Sequence, residues 1–206
     1  QVSQMGGSLP LSALRNAVAQ AGPPAGENTG TFGRLRIYVA PPPMAGAAAL
    51  AGWRGQAPGG GTPADSGGFS GLVAVDDKGN AAACSLSMGQ LFGARMVVPG
   101  TGILLGAPTP EAASVSPVIM AYPSSGEFVF AGAGGGAATA AQATGAVARA
   151  TVEGGQNVAA ALSARRGQGG YVNAIVCPGG LRGDAETCQS AIDPAGAGLA
   201  LLATGR

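Results

Sequence analysis

The chain has 206 residues, enough for one domain or a little more with a buried core. Its 38 Gly, 15 Pro, 10% charged residues and net charge of +1 give no electrostatic footprint for nucleic acid or an anionic membrane, while a 46% apolar share argues against disorder. Histidine is absent, which excludes Ser-His-Asp and Cys-His nucleophile systems, HExxH zinc sites and histidine general bases. In chain order, Ser8 to Gln20 places Leu11, Leu14 and Val18 at helical spacing behind a Ser8 cap and Pro10. The sequence AGPPAGENTG then breaks the pattern. Arg34 to Ala40 alternates like a strand, and Pro41-Pro42-Pro43 ends it before a short helix from Met44 to about Trp53. From Gly55 to Gly68 the sequence GQAPGGGTPADSGG is all punctuation, a linker leading up to Phe69 and accessible to a cut.

Leu72 to Asp76 and Ala81 to Met88 read as strands around the turn Asp77-Lys78-Gly79-Asn80. Val118 to Tyr122 and Glu127 to Ala131 form a second expected hairpin around Pro123-Ser124-Ser125-Gly126. Ala137 to Val152 is Ala-rich with good helix propensity, Asn157 caps another helix to about Arg165, and Tyr171 to Cys177 returns to strand. Two hairpins, two helices and further strands point to an α+β fold with helices packed on antiparallel sheet, not a doubly wound parallel one. Trp53 reads as a core residue.

No run approaches the ~20 apolar residues of a membrane span. The first residues show no basic region followed by an apolar stretch, so the expectation is a removed signal or upstream sequence lying elsewhere, in a periplasmic or secreted protein. Cys177 and Cys188 share a short C-terminal stretch and are a candidate disulfide, with no metal-type spacing competing. Cys84, in an apolar strand, reads as a buried thiol.

One hydrolase design survives the absence of histidine. A Ser, Thr or Cys exposed at a new N-terminus by self-cleavage can use its own α-amine as base, because a free α-amine titrates near neutral pH. Ser70 stands directly before a strand-like run, where such a nucleophile is expected, with the cut falling between Phe69 and Ser70. Gly134, Gly135 and Gly136 suit an oxyanion hole, since residues without Cβ let backbone N–H groups converge on developing negative charge.

Between Ser70 and Gly106 the chain carries Val75-Asp76, Lys78-Gly79-Asn80, Phe92-Gly93 and Gly102-Ile103-Leu104-Leu105. Ser114-Val115-Ser116-Pro117 and Gly132-Ala133-Gly134-Gly135-Gly136 follow. In these residues, in this order, the chain resembles the gamma-glutamyltranspeptidase family of N-terminal-nucleophile hydrolases. Upstream, Tyr38 to Pro43 followed by Gly46 is similar to the Pro-Pro-x-x-Gly region near the end of that family's large subunit.

The resemblance implies a four-layer αββα sandwich, of which this chain supplies part. Residues 1–69 correspond to the end of the large-subunit region, including the linker 55–69, and residues 70–206 to the small, catalytic subunit. It implies a self-processing acyltransferase or hydrolase moving a γ-glutamyl-like group from a glutathione-like amide to water or an amino acceptor. No cofactor or metal is implied, and the expected partner is a large-subunit chain or upstream region. Ser70 is the nucleophile, Gly135 and Gly136 the oxyanion donors, Ser87 the hydroxyl that steadies the amine, and Glu111 and Ser114 the substrate-binding residues. The alternatives are a silent relative kept as a binding module and an acylase of the same fold acting on a cephalosporin-like amide.

The chain departs from the family pattern at several of these positions. Where the family has Thr-Thr-His or Thr-Ser-His, this chain has Ser70-Gly71-Leu72. Counting back from Asp76 without a gap puts Phe69 at the nucleophile position. A one-residue deletion restores Ser70, and a longer insertion selects Ser66 instead. The family's Thr-x-Asn falls on Ser87 and Gly89, so only the hydroxyl remains.

Overall fold

Among the described residues strands outnumber helices, and every strand pairing is antiparallel. A computed structural model describes residues 28–42, 44–56, 68–107, 115–136, 139–166 and 168–202. Six strands form one sheet in the order β1-β2-β5-β6-β7-β8: β1 Asn28–Phe32, β2 Leu35–Val39, β5 Val118–Tyr122, β6 Glu127–Gly135, β7 Tyr171–Val176 and β8 Gln189–Ala191. A separate hairpin joins β3, Phe69–Val75, to β4, Ala81–Ser87. Residues on both sides of the 69/70 junction therefore build the same core. The helix expected over 8–20 lies outside the described residues.

Three helices cover one face of the large sheet: α1 Gly46–Trp53, α2 Ala140–Ala148 and α3 Val158–Ser163. Alternation decides which side chains meet them. Leu35, Ile37 and Val39 of β2, and Val172, Ala174 and Val176 of β7, point into a cluster with Leu50, Trp53, Val147 and Leu162. Phe130 is wholly buried there and contributes about 2–3 kcal/mol by leaving water. Trp53 is core and meets the Phe32 ring edge-on at 5.7 Å.

The opposite face carries the hairpin. Val73, Val75, Ala81 and Ala83 pack on Phe128, Ala131, Ile175 and Cys177, forming a smaller second cluster. The described layers are thus helices, six-stranded sheet and two-stranded sheet. The hairpin's outward residues Leu72 and Leu86 remain 62% and 63% exposed.

Several expectations need correction. β3 starts at Phe69, three residues before the apolar run at Leu72, because Met88 N–H donates to Gly68 C=O at 2.7 Å and extends the ladder backward. β6 runs four residues past Ala131, so Gly132 to Gly135 are strand rather than turn. Helix α2 needs those glycines, since a Cβ on Gly134 would strike Thr144 Oγ1 and lie 2.9 Å from Ala140 C=O. The helix expected through Val152 changes at Arg149 into a π-helical turn, Arg149–Glu153. Cys84 is exposed, not buried, because it pairs with Leu72 on the hairpin's outward side. Strands β1 and β8 had no clear signal.

Asn157 caps α3, its Oδ1 accepting from Ala159 N–H at 2.9 Å and Ala160 N–H at 3.3 Å. Gln189 Oε1 accepts from Val158 N–H at 3.0 Å and ties α3 to β8. Cys177, after β7, and Cys188, before β8, are joined by a disulfide.

Candidate functional site at the start of strand β3

Everything at this site follows from which way β3 faces. Its burial alternates from Phe69, putting Phe69, Gly71, Val73 and Val75 toward the large sheet and Ser70, Leu72 and Ala74 outward. Ser70 is exposed and lies opposite Leu86 on β4. Phe69 lies opposite Ser87 and points at the end of β6. A Cβ at Gly135 would collide with Phe69 Cδ2 and Cε2, so the ring rests on bare backbone. The Tyr171 ring, in register with Gly135, runs parallel to Phe69 within 10° at a centroid separation of 6.4 Å.

Gly136 completes the arrangement, with φ +86° turning the chain out of β6. A Cβ there would sit 2.8 Å from Tyr171 Cδ2 and 3.6 Å from Phe69 Cδ1. The two expected oxyanion residues thus sit under an aromatic pair. Phe69 covers them, while the Ser70 side chain projects from the other face of the strand.

Ser87 shares the inward side with Phe69, opposite to the Ser70 side chain. Its Oγ accepts from Gly89 N–H at 3.0 Å, closing a local turn after β4. Ser85, also inward, lies opposite Gly71, and its buried Oγ has no hydrogen-bond partner among the described residues. Glu111, Ser114 and Ser66 lie outside the described residues.

A polar network holds β3 to the sheet beside this site. Asn173 Nδ2 donates to Gly71 C=O at 3.0 Å, and Asn173 Oδ1 accepts from Asp193 N–H at 3.3 Å. The buried Asp193 carboxylate accepts from Ala195 N–H at 2.9 Å and Val172 N–H at 3.4 Å. Burial holds the Arg165 guanidinium below its usual range, opposed by the negative charge of Asp193. Neither Asn173 nor Asp193 was singled out in the sequence. The available signal was one amide in the apolar strand Tyr-Val-Asn-Ala-Ile-Val, since a buried amide there requires a partner.

A cleft of about 470 Å³ opens on the other side of the large sheet, between α1 and α2, and is lined by Gly52, Gly55, Arg149 and Glu153 among others. It contains none of the residues singled out for chemistry. Among the described residues no three His, Cys, Asp or Glu side chains gather where they could hold a metal ion, and no helix is long and apolar enough to cross a membrane. Neither a family model nor a curated protein matches this chain in sequence comparison.

Proposed function

We propose that this chain is a self-processing acyltransferase or hydrolase of the N-terminal-nucleophile kind, similar to gamma-glutamyltranspeptidases, with the uncut 69–70 bond as its precursor state. The observation carrying this reading is that a candidate cut site, Phe69-Ser70, begins the strand packed against the Gly135-Gly136 backbone. Ser70 Oγ attacks the Phe69 carbonyl carbon, the C–N bond breaks, and the hydroxyl proton passes to the released Ser70 amine. Water then hydrolyses the resulting ester, leaving a Phe69 carboxylate and a Ser70 with both hydroxyl and amine. In turnover the amine accepts the hydroxyl proton while a substrate amide acylates Ser70, general-base help worth roughly 10²–10⁴ in rate.

In this reading Gly135 and Gly136 are the backbone donors to the oxyanion, and Ser87 lies across the ladder from the junction. A γ-glutamyl-like amide is the substrate class that the family resemblance implies, with Glu111 and Ser114 as its contacts. The fourth layer of an αββα sandwich would cover Leu72 and Leu86, and a large-subunit-like chain is the proposed source. The Cys177–Cys188 disulfide fits an oxidising compartment, so the protein is proposed to work in the periplasm or outside the cell.

One observation favours a second reading, a silent relative serving as a binding module. The Ser70 side chain faces away from the Gly135-Gly136 backbone, on which the Phe69 ring lies. Intact-mass measurement separates the two. Cleavage to residues 1–69 and 70–206, abolished together with amidase activity by Ser70→Ala, is the expected result. A homogeneous cut before Ser66 moves the nucleophile there, and an uncut, inactive wild-type chain leaves the binding module.

A further inference from the structure

The place that Phe69 occupies is a flat slot with a definite chemistry. Its floor is the backbone of Gly135 and Gly136, where a Cβ at either position would meet an aromatic ring. Its far wall is the Tyr171 ring, parallel to the occupant and within the 4.5–7 Å centroid range of favourable aromatic pairs. Tyr171 of β7 is in register with Gly135 of β6, and Gly196 of the loop after β8 lies beside its ring. The three residues that form the slot carry no ionised side chain.

We propose that this slot is an acyl-group subsite for an aromatic side chain, so that arylacetyl or phenylalanyl amides are substrates; the acyl role rests on the reading of Ser70 as nucleophile. In self-processing the acyl group transferred to Ser70 Oγ is that of Phe69, and its ring sits in the slot. The ester that forms holds a phenylalanyl group, and the ester formed from a substrate occupies the same place after the Phe69 segment withdraws. The covalent steps correspond: in each the amide C–N bond breaks and its nitrogen takes up the hydroxyl proton, the amine staying on Ser70 in self-processing and departing as product in turnover, and water then releases the acid. A γ-glutamyl side group seated there would bring an ammonium and a carboxylate against bare backbone and a phenol ring, with charges unpaired by the residues of the slot. An aromatic group brings no charge into the slot and lies parallel to the Tyr171 ring.

The binding half of the proposal is tested without relying on cleavage. Phe69→Ala empties the slot in the full chain, and phenylacetamide at about ten times its Kd should raise the melting temperature by about 3–6 °C. L-Glutamine at the same concentration should not, and neither compound should shift the Ser70→Ala chain, in which Phe69 still fills the slot. If Phe69→Ala does not fold, Phe69→Val is assayed in the same way, since it keeps a good strand former while removing the ring. Absence of a shift with phenylacetamide, or an equal shift with glutamine, overturns the slot.

The acyl role is tested on cut wild-type protein with two p-nitroanilides. A kcat/KM at least about tenfold higher for phenylacetyl than for γ-glutamyl p-nitroanilide is expected, the scale on which apolar pockets discriminate. A preference for γ-glutamyl in a protein cut before Ser70 overturns the acyl subsite while leaving the nucleophile standing. An uncut chain whose Phe69→Ala variant still binds phenylacetamide overturns the Ser70 reading and supports the slot as an aromatic-binding site.

Discussion

The Phe69 ring lies directly on the backbone of Gly135, and each residue fixes what the other can be. Replacing Gly135 by Ala introduces a Cβ where the ring now sits, which forces Phe69 out or opens the hairpin from the sheet. Overpacking of this kind costs roughly 1–3 kcal/mol. Phe69→Ala should relieve most of the clash, so the double variant should be more stable than the two single effects added together. A double-mutant cycle by urea denaturation measures this coupling, expected at about 1 kcal/mol or more. Simple additivity would show that the ring does not depend on the glycine.

Much of the fold was legible because its signals were local. Asp77-Lys78-Gly79-Asn80 between apolar flanks specified the β3–β4 hairpin, and Asn157 specified the start of α3. Other features depended on partners distant in sequence. The expected strand stops at Ala131 because Gly132 to Gly135 carry no strand pattern, yet they are strand, with α2 against one side and Phe69 on the other. β8, only three residues long, is defined by its pairing with β7.

At the candidate junction, orientation is what the sequence leaves open. The expectation of Phe69-Ser70 rests on the linker and the strand that follows it, and neither sets which way each side chain faces. The face each residue takes depends on strand parity, and parity depends on where pairing begins. Here pairing extends back to Gly68 through a hydrogen bond no sequence pattern announces, which turns Phe69 inward and Ser70 outward. Cys84 was misread for the same reason, since an apolar strand with one covered face still turns every second residue outward.

The Cys177–Cys188 bond closes a short loop between β7 and β8, with a sequence separation of 11. In the chain-entropy picture a loop of this size is worth about 3 kcal/mol through restriction of the unfolded chain. Cys177→Ala/Cys188→Ala should therefore lower unfolding free energy by about 2–3 kcal/mol, with the loss appearing in the urea midpoint. A change below about 0.5 kcal/mol would mean the bond is not formed in the protein in solution.

Asp76 supplies a pH-dependent contribution to the β3–β4 turn. Its carboxylate accepts from Asn80 Nδ2 at 2.7 Å, Asn80 N–H at 2.8 Å and Lys78 N–H at 3.0 Å. The Asn80 side-chain hydrogen bond, with the backbone donors, holds its pKa below the ordinary value of 3.8. A depressed carboxylate pKa means the unfolded chain binds the proton more readily. The stabilisation is therefore complete above the ordinary value and fades as pH falls through the lower folded one. Asp76→Asn should lower the melting temperature at pH 7, and the difference from wild type should shrink as pH falls below the ordinary carboxylate value of 3.8. A gap unchanged between pH 7 and pH 2 would assign the effect to the turn's shape instead of its charge.

Asn173 is the side chain that ties the hairpin to the large sheet, through Gly71 C=O on one side and Asp193 N–H on the other. Asn173→Leu keeps a similar volume but removes both bonds, leaving a partly buried carbonyl and N–H without that partner. The expected cost is about 1–3 kcal/mol, at the level of stranded polar groups. The loss should be local, because β3 and β4 pack on the sheet through a small cluster of Val73, Val75, Ala81 and Ala83, whereas the helix-facing core makes no use of Asn173. Amide hydrogen exchange distinguishes local from global loosening. Faster exchange along Phe69–Val75 and Ala81–Ser87, with Val172 and Val176 still protected, would establish Asn173 as the clamp that keeps Phe69 on Gly135. Uniform acceleration across both sheets would show instead that the hairpin and the six-stranded sheet open as one unit.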